Sequence, residues 1–414
     1  MTAADDRGEG PVHDVDVDGF THGGEGVVRL DGKAVFVPGA LPDERVRIRV
    51  VDDRRRWARA ELLAVLTASP LRTTPPCPFV PDCGGCDLQH VTPAGQRELK
   101  QRVVREQLER IGALTDPPVA ACLAATPATG YRAQARMHAD AEGRLGFHRA
   151  RSHDVVAVDR CLVLDDAAQA VRDAVGDTTG AVEAVVRGFG EAGVAVLTPG
   201  ERGLDLDHVD GVDVLAAGAD GALTALRGDG ELTVTIAGFR LAVPAQAFFQ
   251  SGPEAAASLV DAVLAAVGDV TATTVWDLYA GVGLLSLPLA AAGASVTAVE
   301  GDATAAEAAR RNAAHNDLAV TVHTGSVQRT VVGAGLDDPD VVVLDPPRTG
   351  AGADVIAAVA ARDPERVVYV ACDPAALARD TRTLVGAGYR LQRATPLDLF
   401  PMTHHVEVVA EFGR

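Results

Sequence analysis

Hydrophobic and polar positions alternate with period two over five short stretches near the start of the chain: Val12 to Val17, Gly26 to Leu30, Ala34 to Val37, Val46 to Val51 and Arg59 to Val65. That period puts successive side chains on opposite faces of a strand. With turns at Asp31-Gly32 and Pro38-Gly39, the pattern predicts a small barrel of about five strands. From Thr273 the pattern changes. Apolar runs at Thr273 to Leu278, Ser295 to Val299, Ala319 to His323, Val341 to Asp345 and Val367 to Ala371 alternate with helical stretches at Leu284 to Ala292, Ala303 to Asn316, Val355 to Ala361 and Ala375 to Gly386. Strands apolar on both faces and separated by helices predict an α/β fold, a parallel sheet covered on both sides. Two further extended segments, around Tyr389 to Thr395 and His405 to Phe412, close the chain as a hairpin.

Between these regions the pattern is mixed. The Pro-rich stretch Ser69 to Pro81 separates the barrel from a central segment that runs to about Arg240 and carries a Gly, Ala and Val rich tract with no readable period. No internal repeat is visible. A chain of 414 residues exceeds one hydrophobic core, so three parts are expected: a barrel over 1–68, a central α+β part over 69–240 and the α/β domain over 241–414.

The first α/β strand ends in Asp277-Leu278-Tyr279-Ala280-Gly281-Val282-Gly283. Glycines there let backbone approach a ligand, and the helix that follows offers free N–H groups to its polar end. Glu300, ending the second strand, suits a ribose diol. The third glycine of the dinucleotide fingerprint is absent, Leu285-Ser286 following instead, so the turn alone is either a ligand loop or a structural one. Cys372, in Tyr369-Val370-Ala371-Cys372-Asp373-Pro374 and upstream of Glu407, points to covalent chemistry on an electron-poor ring. Taken singly, the cysteine also fits a small buried hydrophobe, and the glutamate an exposed strand carboxylate.

Five ordered segments carry a resemblance: Phe248-Phe249-Gln250; the Asp277 to Gly283 turn; Asp345-Pro346-Pro347-Arg348-Thr349-Gly350; Tyr369 to Pro374 with Leu377-Ala378-Arg379-Asp380; and Phe400-Pro401-Met402-Thr403-His404-His405-Val406-Glu407. Through them residues 240–414 resemble the RNA uracil-C5 methyltransferases that use S-adenosylmethionine, and the closing hairpin fits a class I methyltransferase better than a dehydrogenase. The resemblance implies Cys372 as nucleophile and Glu407 as general base. It implies Gln250, Tyr279, Glu300 and Asp345 as contacts to S-adenosylmethionine, around the Gly281 and Gly283 turn. Uracil C5 is a poor nucleophile, so a thiolate first adds to C6, and a carboxylate later removes the C5 proton. The chain departs from the family at three positions. Leu284, Asp373 and Gly252 stand where asparagine is frequent, and a carboxylate at 373 is expected to hinder thiolate formation unless it is paired or turned away. Two alternatives remain. Asp345-Pro346-Pro347 also matches methyltransferases acting on amino groups, although Arg348 replaces the usual aromatic and Cys372 and Glu407 are left idle. A non-catalytic iron-sulfur RNA-binding protein is the other.

Cys77, Cys83 and Cys86 follow a Cys-x5-Cys-x2-Cys spacing, with Cys161 downstream. Family members with the same spacing carry a 4Fe-4S cluster. Zinc, with His90 in place of Cys161, and disulfides are the rival readings. Cys122 reads as a packed thiol.

The resemblance extends to the barrel, which is similar to the TRAM version of the OB fold. Arg45, Arg47 and Arg49 alternate along one strand and so share a face, with Arg54, Arg55, Arg56 and Arg59 following. That face is either a phosphate-binding surface for RNA or a solvated strand. Trp57 is a stacking platform or core. A second basic set, Arg97, Lys100, Arg102, Arg105 and Arg110, lies on a helical stretch from Gln96 to Ile111, where Glu98, Glu106 and Glu109 make a salt-bridged helix an equal reading. This helix is expected to pack on the catalytic domain. Net charge is −19, which argues against nonspecific coating of nucleic acid and leaves RNA binding to local arginine patches. Lys33 and Lys100 are the only lysines. No stretch is apolar enough for a membrane span and no signal peptide is apparent, so a cytoplasmic monomer acting on rRNA or tRNA is expected.

Overall fold

The computed structural model describes residues 10–80, 82–177, 180–201, 203–333 and 335–414. The first nine residues of the expected barrel, and Pro81 of the Pro-rich stretch, lie outside them. Six strands build the barrel: β1 Val12–Asp16, β2 Gly19–Phe20, β3 Glu25–Leu30, β4 Lys33–Pro38, β5 Arg45–Asp53 and β6 Trp57–Thr67, in the order β1-β5-β6-β4-β3-β2. One more strand is present than the pattern predicts, because two-residue β2 is too short to show a period. The pleat sorts β5: Val46 and Ile48 are fully buried against Val28, Val35 and Val37, while Arg45 and Arg47 face water. Trp57 is 37% exposed and tilted against Phe36.

Helix α1, Pro93–Arg110, begins at Thr92, whose side chain caps Gly95 N, with proline in the first turn. Its apolar stripe, including Val104 and Leu108, joins the core of the α/β domain. A short strand, β7 Leu123–Ala124, follows. The central tract forms a sheet that the sequence pattern does not reveal: β8 Gln134–Ala139, β9 Leu145–His148, β10 Val155–Ala157, β11 Ala181–Phe189, β12 Ala192–Pro199, β13 Asp213–Ala217 and β14 Leu223–Arg227, with α2 Asp166–Val175 between β10 and β11. Its order is β10-β9-β8-β11-β12-β13-β14. A hairpin, β15 Glu231–Ile236 with β16 Phe239–Pro244, leads into the last domain.

There the elements are α3 Pro253–Val267, β17 Thr274–Leu278, α4 Ser286–Ala291, β18 Ser295–Glu300, α5 Ala303–His315, β19 Val320–Thr324, α6 Val327–Val332, β20 Val341–Leu344, α7 Ala353–Ala361, β21 Arg366–Ala371, α8 Pro374–Gly386, β22 Arg390–Asp398 and β23 Glu407–Gly413. The sheet order is β19-β18-β17-β20-β21-β23-β22-β7. Five strands are parallel, β23 runs antiparallel to β21, and β22 is antiparallel to β23. This is the class I methyltransferase arrangement. The sheet reverses direction of winding beside β17, so ligands are expected beyond the carboxyl ends of β17, β18 and β20. Among the described residues no helix is long and apolar enough to cross a membrane.

Candidate active site and four-cysteine cavity

Strand β17 is buried from Val275 to Leu278, and the chain must turn sharply where it leaves the sheet. Tyr279 adopts φ +65, an uncommon conformation for a residue with a side chain, and Gly281 and Gly283 take φ +57 and +90. A Cβ on Gly281 meets nothing within 4 Å, so this turn is open to a ligand, whereas Gly283 lies against Ala309 of α5. Asn312 of α5, fully buried, fixes the turn by donating to Val282 O (2.9 Å) while exchanging hydrogen bonds with Ala242 of β16. At the end of β18, Glu300 accepts from Gly281 N (2.8 Å) and Asp302 N (2.7 Å). Gln250, Tyr279, Gly281 and Asp345 line one cleft together with Phe248, Phe249, Asp277 and Leu284. Of the six residues expected to surround the cofactor, these four share the cleft wall; Glu300 joins through Gly281, and Gly283 backs the turn onto α5. Leu284 adds an apolar wall in place of a polar contact. Gly252 has a packing reason, since a Cβ there would lie 2.3 Å from Tyr131 O.

Cys372 follows β21 and Glu407 opens β23, one step beyond the antiparallel pair Ala371 with Val408. Two residues far apart in sequence therefore meet because adjacent strands end together. Burial pushes the Cys372 thiol up to about 12, and the Glu407 and Asp345 carboxylates add to this while Arg348 opposes it. Glu407 is 4% exposed, and its Oε1 has no hydrogen-bond partner among the described residues. Burial and the Asp345 carboxylate hold it well above the usual carboxylate range. Asp345 is raised in turn, by burial and by Asp277, and Asp277 is raised to about 6 by burial, although Ser286 Oγ donates to it. The cluster is short of positive charge. Arg348 is the guanidinium that opposes it, a role that its place after Asp-Pro-Pro does not reveal. Its loop is held by Asp380 of α8, which accepts from Tyr369 OH (2.7 Å), Ala351 N (2.9 Å) and Gly352 N (3.2 Å).

Asp373 does not face the thiol as an unpaired charge. Its Oδ1 caps α8 by accepting from Ala376 N (2.7 Å), and its Oδ2 lies 3.2 Å from His22 Nε2 of the barrel. The segment that leads to Glu407 is buttressed from outside its own domain. Lys100 of α1, 2% exposed, donates to Asp398 (2.5 Å) and to Phe400 O (3.0 Å). Gln96 accepts from Met402 N (2.7 Å), and Asp87 accepts from His404 N (2.8 Å). Lys100 is thus no part of a basic surface patch, as the composition of its helix allowed; it is a buried ion-pair partner. The arginine stripe is also paired: Arg45 with Asp16 (3.2 Å), Arg47 with Asp14 (2.7 Å) and Arg49 with Glu61 (3.5 Å). Those partners stand opposite on β1 and β6, so the stripe is a salt-bridged ladder and not a bare cationic face.

Cys77, Cys83, Cys86 and Cys161 line a single cavity of about 230 Å³ with apolar walls that include Phe79, Val80, Phe147 and Val163. None of the six cysteines is joined in a disulfide in this structure. Burial pushes Cys86 up to about 12, the neighbouring thiols contributing, and raises Cys83 and Cys161 as well. His90 stands outside this cavity, beside Arg72 and Glu44, whereas Cys161 lines it. Among the described residues no three His, Cys, Asp or Glu side chains draw together closely enough to hold one metal ion.

Comparison with known proteins agrees with this architecture. A TRAM domain model matches residues 6–63, a methyltransferase small domain residues 247–362, and a tRNA (uracil-5-)-methyltransferase model residues 335–411. An uncharacterized RNA methyltransferase of Corynebacterium efficiens is 36% identical over 99% of this chain and 96% of its own length. A 23S rRNA (uracil(1939)-C(5))-methyltransferase of Alkalilimnicola ehrlichii is 36% identical over 97% of this chain and 96% of its own. The crystal structure of the Pyrococcus abyssi tRNA (uracil-54, C5)-methyltransferase with S-adenosyl-L-homocysteine superposes with a TM-score of 0.77 at 23% identity, covering 96% of this chain and 99% of the other. That likeness shows the shared fold.

Proposed function

The chain belongs to the S-adenosylmethionine-dependent RNA (uracil-C5)-methyltransferases, and from that membership we propose that it methylates C5 of a uridine in ribosomal RNA through a covalent adduct on Cys372. The observation that carries the mechanism is the meeting of the Cys372 thiol and the Glu407 carboxyl at the ends of β21 and β23. The cleft lined by Gln250, Tyr279, Gly281 and Asp345 would hold S-adenosylmethionine, which would supply an electrophilic methyl group. Cys372 loses its proton to solvent and its sulfur bonds to C6 of the uracil, moving the C5–C6 π electrons into an enolate at C4–O4. C5 of that enolate then takes the methyl as the methyl–sulfonium bond breaks and S-adenosylhomocysteine departs. Glu407 then removes the proton left on C5, the C5–C6 double bond re-forms, and the thiolate leaves. Once ionised, a carboxylate raised by burial is a stronger base than a solvated one, which suits this last step. Arg348 is the cation that offsets negative charge on the thiolate.

Ribosomal RNA is chosen over transfer RNA because the relatives that name an rRNA target match nearly the whole chain at 33–36% identity, above the likeness to the tRNA enzyme. Incubation with 23S rRNA or with tRNA and isotope-labelled cofactor, followed by nucleoside mass spectrometry, tests the proposal. Labelled 5-methyluridine is expected from 23S rRNA. Label on a base amino group, or in tRNA alone, contradicts it.

Cys77, Cys83, Cys86 and Cys161 are the residues that would hold a 4Fe-4S cluster. Four thiols lining one apolar-walled cavity, with His90 outside it, support that reading over zinc. Anaerobically purified protein should be brown with about four iron per chain; colourless protein with one zinc contradicts it.

A further inference from the structure

The barrel reaches the catalytic end of the molecule through one tight loop, Thr21 to Gly24, between β2 and β3. Gly24 N donates to Thr21 O (3.1 Å), and Glu25 N donates to Thr21 Oγ1 (3.0 Å). The loop is seated without slack: Gly24 has φ +78, and a Cβ there would lie 3.0 Å from His404 Cβ and 3.3 Å from Asp87 Oδ2. His22 at its tip meets the His404 ring edge-on, with centroids 6.2 Å apart. Its Nε2 lies 3.2 Å from Asp373 Oδ2, and its Nδ1 is buried with no partner among the described residues.

We propose that His22 is a positioning residue for methyl transfer, holding the Asp373 carboxylate against the barrel so that this extra negative charge stays off the adjoining Cys372 thiolate. Both oxygens of Asp373 are engaged, one by the α8 amide and one by the imidazole. Glu407 and Asp345 are the carboxylates that burden the thiol most. Without the imidazole, only the cap at Oδ1 constrains Asp373, and its outer oxygen is free to turn beside the nucleophile. A carboxylate there disfavours the thiolate that must attack C6. The barrel, on this view, completes the catalytic site.

The inference rests on the uracil-C5 reading, and the test separates the two. Full-length, anaerobically purified protein is mixed with S-adenosylmethionine and RNA carrying 5-fluorouridine at the target site, which traps the adduct because fluorine cannot leave as a cation. The rate of trapping and the Kd for RNA are measured for wild type, His22→Ala, His22→Gln, Asp373→Asn and the double variant His22→Ala with Asp373→Asn. His22→Ala should trap about tenfold more slowly, the change that one unit of thiol pKa makes in the thiolate fraction, with its RNA Kd unchanged. His22→Gln keeps a donor and should recover most of the rate. The double variant should match Asp373→Asn alone, since asparagine still caps the helix and carries no charge to restrain. A His22→Ala rate equal to wild type, a loss that Asp373→Asn does not relieve, or a loss confined to RNA affinity overturns the proposal. Absence of trapping by wild type overturns the uracil-C5 mechanism itself.

Discussion

The arginine ladder of the barrel and the carboxylate cluster around Cys372 carry charge in opposite ways. Arg45, Arg47 and Arg49 are prominent in the sequence, yet each lies opposite a carboxylate on a neighbouring strand, in contact with water. Asp277, Asp345 and Glu407 are scattered through the sequence, yet the sheet gathers them at one end, Asp277 and Glu407 buried and Asp345 half-buried at the cleft wall, with Arg348 opposing the charge at Glu407. Exposed pairs contribute little because water already satisfies each partner. Buried, uncompensated acids shift their proton affinity instead, which is what acid–base chemistry requires. Conspicuous charge therefore marks the quiet region, and concealed charge marks the reactive one.

The largest effect should come from removing the nucleophile in the concealed cluster. Cys372→Ala is expected to lower methyl transfer by at least about 10⁴-fold, as losses of catalytic nucleophiles do, while calorimetry should show S-adenosylmethionine still bound. Equal loss of cofactor binding would reduce the cysteine to a packing role.

Next comes buried charge that is paired. Lys100→Met leaves Asp398 alone in the interior and should cost about 3–5 kcal/mol of unfolding free energy in urea. Adding Asp398→Leu should recover most of it. A single variant as stable as wild type would show that the pair does not hold α1 to the loop before Glu407.

A smaller effect should separate the acids of the cluster by pH. Asp277 is raised by burial to about 6, so its neutral form stabilises the fold fully below the ordinary carboxylate pKa, and that contribution is lost as pH rises through about 6. Asp277→Asn has no such proton to lose. Relative to wild type it should gain roughly 1–3 kcal/mol, at about 1.4 kcal/mol per pKa unit, between pH 4 and pH 7 in melts of the cofactor-free protein. Parallel profiles would place Asp277 in contact with water.

The smallest effect is assigned to the ladder. Changing Arg45, Arg47 and Arg49 together to glutamine should alter the log–log salt slope of RNA binding by less than about one unit, well short of one unit for each residue. A fall of about three units would mean that RNA displaces Asp14, Asp16 and Glu61, and the contrast between the two regions would collapse.

Much of this was legible in the chain and some was not, for physical reasons. The α/β core shows itself because strands such as Val341–Leu344, buried on both faces, read as unbroken apolar runs. Cys372 and Glu407 are legible as a pair through the ordered family segments. The central sheet is hidden, because a Gly, Ala and Val rich tract offers little contrast between inner and outer faces. Helix α4 starts at Ser286 and not at Leu284, since the left-handed turn at Gly283 delays it. The Lys100–Asp398 and His22–Asp373 contacts join residues 298 and 351 positions apart, and no local pattern encodes such pairing. For the arginine ladder, alternation fixed the face but said nothing of the opposing strand.

The central claim, that Cys372 and Glu407 act at successive steps, is tested most directly by Glu407→Gln with target RNA and S-adenosylmethionine on a denaturing gel. Glutamine cannot take the C5 proton, so the methylated ring cannot expel the thiol, and a covalent protein–RNA band should accumulate that disappears when Cys372→Ala is added. Free RNA carrying 5-methyluridine at the wild-type rate, with no shifted band, would contradict the account.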